Sequence, residues 1–189
     1  MESPTAADGY PRNGVVSDDW SEDRGPLDLM SSAGRLGALV WTERQLHRVV
    51  GSWAVDAEGP DAVVLFDRLA MAHAHRADVL FARLPNLREL PTDVVVVAPG
   101  PVTEGLVGRL SELTADPERL AAWADVGREL VAAYEDLLRR SSPVADAPLR
   151  RRLPAVVDGL SGDLDEVDRS AGPTDGVAEL VAATASFTA

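Results

Sequence analysis

The sequence predicts an all-α fold built on one antiparallel helix bundle. Three observations carry that expectation. Apolar residues recur at three- and four-residue steps over four long segments. Proline and glycine fall between those segments. The connections alternate short, long, short, which restricts how the helices are strung together.

The first helix is expected over Ser31 to Val55, on a stripe of Leu36, Leu39, Val40, Leu46, Val50 and Trp53. Asp56-Ala57-Glu58-Gly59-Pro60 breaks it, and Pro60 suits the first turn of a second helix. That helix runs on Val63, Phe66, Ala70, His73, Ala77, Leu80 and Leu84 until Pro85 stops it. A long irregular stretch follows, punctuated by Pro85, Pro91, Pro99 and Pro101. Inside it, Val94 to Val97 is a β-prone run with no pairing partner, so it is expected as an extended segment packed on the bundle. A short helix is expected over Val102 to Leu113.

Asp116-Pro117-Glu118 opens the third long helix, with Asp116 as N-cap and Pro117 at the first helical position. Its stripe is Leu120, Trp123, Ala124, Gly127, Leu130, Val131, Tyr134, Leu137 and Leu138, and Ser141-Ser142-Pro143 ends it. Asp146-Ala147-Pro148 starts a fourth helix on Leu149, Leu153, Val156, Val157, Leu160, Leu164 and Val167, closed by Gly172-Pro173. A last short helix is expected over Val177 to Thr184. The domain reading is an acidic disordered tail over residues 1–29, the bundle over 30–171, and a C-terminal tail over 172–189.

Short links join helices one to two and three to four, whereas about thirty residues separate two from three. A short link forces antiparallel neighbours; a long one lets the chain cross the length of the bundle. The expected architecture is therefore a ferritin-like antiparallel four-helix bundle with one long crossover between helices 2 and 3.

Composition excludes several functions. The 189-residue chain has no cysteine, which removes disulfides, thiolate metal sites and cysteine nucleophiles. Its net charge of −13 repels phosphate backbones, so nucleic acid is not an expected partner. No apolar stretch approaches the ~18–20 residues that span a bilayer, and the polar N-terminus lacks the basic and apolar regions of a signal peptide. Membrane attachment is therefore not expected, and a cytoplasmic location is. All 18 basic residues are arginine, read as the coding bias of a GC-rich, bacterial genome. The absence of lysine excludes P-loop and Schiff-base chemistry, and no Gly-rich phosphate loop, HExxH or nucleophile elbow is present. Aromatics are few, so Trp41, Trp53 and Trp123 are expected as the large core anchors.

Particular residues resemble a family. Trp41-Thr42-Glu43-Arg44-Gln45-Leu46, His73-Ala74-His75-Arg76-Ala77-Asp78, and Tyr134 followed by Ser142 to Arg150 resemble the ferritin-like proteins of actinobacteria over about 130 residues. Catalytic members of that class hold two metal ions with one carboxylate from each of two helices and a Glu-x-x-His pair from each of the others. Glu43 stands where a first carboxylate would belong. His73 points inward, but Ala70 occupies the position three residues earlier. Helix three offers Tyr134 inward with Glu135 on the flank, and helix four has no histidine, only Asp158 and Asp163 near its buried side. A conventional di-iron site cannot be assembled from these parts, and no cofactor is expected.

Two roles are open for Glu43: a remnant ligand, or a carboxylate paired with His73 or with an arginine of a neighbouring helix. His47 is expected as a helix-flank residue bonded locally, His75 as solvated, and Tyr134 and Trp41 as packing residues. Asp163 is a candidate second buried acid, with Gly159 and Gly162 leaving space beside it that a ligand or another backbone would fit. Arg139, Arg140, Arg150, Arg151 and Arg152 gather at the corner between helices three and four, a candidate anion or acidic-partner site, or a solvated corner paired with acidic segments. The functional expectation is a non-catalytic binding or protein-interaction module, with the internal cavity or the arginine corner as its contact surface. Two alternatives stand beside it. One is a divergent metal-dependent oxygenase or hydroxylase, akin to the tRNA-hydroxylase-like ferritin folds, holding iron or zinc through Glu43, His47 and His73. The other is a structural homo-oligomer, a homodimer among them.

Overall fold

A computed structural model describes residues 26–171, except 86, 87 and 89. Among the described residues every regular element is helical, in the order α1 (Leu29–Asp56), α2 (Pro60–Phe81), α3 (Thr92–Val95), α4 (Pro101–Glu112), α5 (Asp116–Arg140), α6 (Ala147–Arg150) and α7 (Leu153–Ala171). No helix of the described residues is long and apolar enough to cross a membrane. The expected helix over Val177 to Thr184 lies outside the described residues, as do residues 1–25 and 172–189.

The four long helices share one core. Trp53, Phe66, Leu69, Leu80, Trp123, Leu130, Tyr134, Leu137, Leu153 and Leu160 are buried in it together. Trp41, expected among the anchors, is only half-buried. The register of neighbours is read from side-chain pairs. Trp53 meets Phe66, His47 meets the Ala70 carbonyl, and Glu43 meets His73, so α2 runs back along α1. Asp56 pairs with Arg119, Glu43 with Tyr134 and Arg35 with Asp136, so α5 also runs opposite to α1. Arg68 pairs with Glu166 and Arg76 with Asp163, which sets α7 against α2 in the opposite direction.

Helix starts follow the sequence with three corrections. The chain joins the fold before residue 30: Asp28 caps α1 by accepting from the Ser31 amide at 2.8 Å, and the Leu27 amide donates to the Arg140 carbonyl at 2.9 Å. Asp116 is not the cap of α5 but its first helical residue. It is buried, and it accepts from the Glu58 amide at 2.9 Å and from Arg119 at 3.1 Å, tying the α1–α2 link to α5. The expected fourth helix is divided into α6 and α7. Pro154 has no amide hydrogen to donate to the Arg150 carbonyl, and its ring crowds that carbonyl, so the helix restarts at Leu153. Asp146 stands at the α6 cap position, yet its carboxylate accepts from the Ser142 amide at 2.7 Å and closes the preceding turn instead.

The valine run is not extended. Thr92–Val95 forms one helical turn closed by the Val96 amide on the Thr92 carbonyl at 2.9 Å. Val95 is buried with Ala33 and Leu90, while Val94 and Val97 face outward. The β-preference of valine yields here to a tertiary contact. The backbone of Val95 rests directly on α1 at Gly37, where an added Cβ would stand 1.9 Å from the Val95 carbonyl oxygen. Gly37→Ala is expected to lower the unfolding free energy by about 1–3 kcal/mol. Gly34→Ala, three residues away with nothing within 4 Å of its added Cβ, is expected to raise it by about 0.5–1 kcal/mol. Urea unfolding of the two variants checks this; changes of the same sign would contradict it.

Candidate functional site

Six side chains from the four long helices meet at mid-core: Glu43 of α1, His73 and Arg76 of α2, Trp123 and Tyr134 of α5, and Asp163 of α7. Glu43 and His73 are fully buried, and Arg76 and Asp163 nearly so. A carboxylate in such a place is costly unless its lone pairs are used, and those of Glu43 are. One oxygen accepts from the Tyr134 hydroxyl, the other from His73 Nδ1 at 2.6 Å, and Arg76 Nε lies 3.3 Å from both. The Arg76 Nη1 donates to Asp163 Oδ2 at 2.9 Å, while Asp163 Oδ1 accepts from Arg68 at 3.0 Å. Two buried carboxylates are thus balanced by two guanidinium groups.

The tautomer of His73 follows from its neighbours. Trp123 Nε1 has a hydrogen and no lone pair to offer, and it sits 2.8 Å from His73 Nε2. Nε2 must therefore accept, and the ring proton resides on Nδ1, where it is donated to Glu43. His73 is a neutral imidazole. Burial, against the opposing pull of the Glu43 carboxylate, holds its pKa below the usual histidine value. For Glu43 burial acts to raise the pKa, but His73, Arg76 and the Tyr134 hydroxyl outweigh it, and the carboxyl stays below its ordinary range. Burial and the adjoining Glu43 charge push the Tyr134 phenol well above its usual value, so it is a donor throughout the physiological range. Burial opposes the charge on Arg76, and Glu43, the Tyr134 oxygen and Asp163 more than restore it.

The residues singled out in the sequence divide accordingly. Glu43 pairs with both His73 and an arginine, one of its two open roles. Arg76 was missed as a partner, although its place three residues after His73 puts it on the same helix face. Tyr134 and Trp123 are more than packing, since each holds one polar end of the network. Asp163 is buried, whereas Asp158 is exposed. His75 is exposed. His47 is half-buried and donates Nδ1–H to the Ala70 carbonyl at 2.9 Å, bridging α1 and α2 rather than bonding within its own helix.

The proposed ligands Glu43, His47 and His73 therefore do not fit a metal ion as they stand. Both nitrogens of His73 and both oxygens of Glu43 are committed to protein partners, and His47 is turned to a backbone carbonyl. Among the described residues no group of three or more histidine, aspartate or glutamate side chains is placed to hold a metal ion.

The arginine corner does not act as one patch. Arg150 donates to the Leu138 and Ser141 carbonyls at 2.6 and 3.0 Å, satisfying the open end of α5. Arg139 pairs with Asp136 at 2.9 Å one turn earlier, and Arg140 is half-buried. Arg151 and Arg152 are exposed. Arg152 alone reaches a cavity of about 230 Å³ between α2 and α7, which it lines with Ala72, His75, Arg76, Gly159 and Asp163. Gly159 and Gly162 do leave space, since an added Cβ at either meets nothing within 4 Å.

Comparison with protein-family models, curated proteins and solved structures finds no match for this chain.

The neutral state of His73 has a measurable consequence. Its folded pKa lies below the unfolded value of about 6.5, so the unfolded chain binds this proton more readily and stability falls as pH drops through that value. In wild-type protein the unfolding free energy is expected to decline from pH 7 to 5, with one such proton worth at most about 1.4 kcal/mol per pH unit. His73→Gln is expected to flatten that decline while leaving the further loss below about pH 4.5, where the unfolded chain protonates residue 43 and the folded chain, its carboxyl held lower, does not. Urea unfolding across this pH range decides; an unchanged slope in the variant would overturn the assignment.

Proposed function

We propose that this chain is a non-catalytic binding or protein-interaction module on a ferritin-like antiparallel four-helix bundle. The helix directions support the topology. Because α2 and α5 both run opposite to α1, they run parallel to each other, and the chain between them must return along the length of the bundle. Residues 82–115, with α3 and α4, would be that crossover.

The observation that carries the functional reading is the guanidinium of Arg76. In the dimetal class, carboxylates of facing helices converge on cations at the bundle centre. Here a fixed side-chain cation stands between Glu43 and Asp163. It cannot dissociate, exchange or change oxidation state. The pattern of the bundle is kept while the chemistry of the centre is replaced by an internal ion pair, which leaves recognition at the surface as the function this arrangement serves best.

Elemental analysis of untagged protein tests this reading directly, after purification without chelators from culture supplemented with iron and zinc. Well under one equivalent of metal per chain is expected. Near-stoichiometric iron or zinc, lost in Glu43→Ala, would replace this reading with the metal-dependent oxygenase or hydroxylase.

A further inference from the structure

The cavity between α2 and α7 has a polar floor, apolar walls and an arginine at its rim. Arg76 and Asp163 form the floor; Ala72, Val79, Ala155 and Val156 contribute the walls; His75 and Arg152 stand at the rim. Its volume of about 230 Å³ falls below the ~300–1,000 Å³ of sites for drug-sized ligands. Gly159 lines the cavity, and an added Cβ there meets nothing within 4 Å.

The floor holds an unused donor. Arg76 has five N–H hydrogens. Nε is spent on Glu43 and one hydrogen of Nη1 on Asp163. The Nη2 atom lies 3.1 Å from His73 Nδ1, but that nitrogen carries the ring proton given to Glu43 and cannot accept. Nη2 therefore has no acceptor among the described residues, although the Arg76 side chain is only 5% exposed. A buried guanidinium with an unpartnered nitrogen, in a residue that lines a cavity, calls for an acceptor from outside. Asp163 does not supply one, because it meets Arg76 only through Nη1. Arg152 adds a cation at the rim, in a protein of net charge −13.

We propose that this cavity binds a small carboxylate with a short apolar body, its head group between Arg76 and Arg152 and its body against Ala72, Val79, Ala155 and Val156. A planar carboxylate matches the guanidinium fork, and the walls leave no polar group for a hydrophilic body. The assignment rests on the binding-module reading and gives that module its ligand class.

The test is an NMR titration of the full-length, metal-assayed protein with isovalerate and benzoate, with isopentanol as the uncharged control. Saturable shifts centred on the amides of Ala72, Val79 and Ala155 are expected with the carboxylates and not with the alcohol. Gly159→Leu puts a bulky apolar side chain in the lining, on a Cβ that meets nothing within 4 Å, and replaces a poor helix former with a good one, so its fold, checked by circular dichroism, is expected to persist while binding is lost. Arg152→Ala is expected to weaken binding about tenfold, as for one charge-assisted hydrogen bond. A flat titration, shifts that survive Gly159→Leu, or equal binding of isopentanol would each overturn the proposal. Stoichiometric metal in the same sample would instead sink the module reading, so the two failures are separable.

Discussion

The buried Arg76 guanidinium is the constraint on which the rest of the interior depends. Glu43 and Asp163 reach the centre from α1 and α7, and neither could remain ionised there alone. Arg76, from α2, touches both. The remaining contacts complete what it begins. Tyr134 and His73 fill the lone pairs of Glu43, Trp123 holds the far side of His73, and Arg68 takes the outer oxygen of Asp163. Each of the four long helices contributes at least one member, so the polar centre and the helix register specify each other.

A centre of this kind is not a cheap source of stability. Replacing a buried ionic cluster with well-packed apolar groups is often neutral or stabilising, whereas removing one member strands a charge. What the network supplies is uniqueness. A core of leucine, valine and alanine tolerates small slides of one helix along another. A carboxylate that must meet an imidazole, a phenol and a guanidinium from two other helices does not. The same argument explains the functional reading: with His73 held neutral, Tyr134 held protonated and Arg76 held charged, no group at the centre is poised to exchange a proton or accept a cation. The residue that carries the one unspent donor, Arg76, lines the cavity that Gly159 also lines.

Much of the fold was legible because helical periodicity and proline punctuation are local signals. The ends of α1, α2, α4 and α5 lie within a few residues of where Pro60, Pro85, Pro101 and Pro117 place them. What was not legible depended on contacts distant in sequence. The valine run became a helical turn because Gly37, some sixty residues earlier, allows its backbone to rest on α1. Asp28, read as part of the tail, caps a helix read as starting later, and Asp116, read as a cap, is buried against a link fifty-eight residues before it. The break at Pro154 was a local signal, but the apolar stripe continued through it. At the site, Glu43, His73, Tyr134 and Asp163 stood out as polar residues on apolar stripes. Arg76 did not, because an arginine at a helix flank ordinarily reads as a solvated residue.

The central claim is that Arg76 and Glu43 act as one unit, and a double-mutant cycle by urea unfolding at neutral pH tests it most directly. The account predicts that Arg76→Met alone lowers the unfolding free energy by about 3–5 kcal/mol, because it leaves Glu43 charged and uncompensated. It further predicts that adding Glu43→Gln recovers at least about 1 kcal/mol of that loss, a strong positive coupling between the two sites. Additive losses, or an Arg76→Met variant within about 1 kcal/mol of wild type, would contradict it.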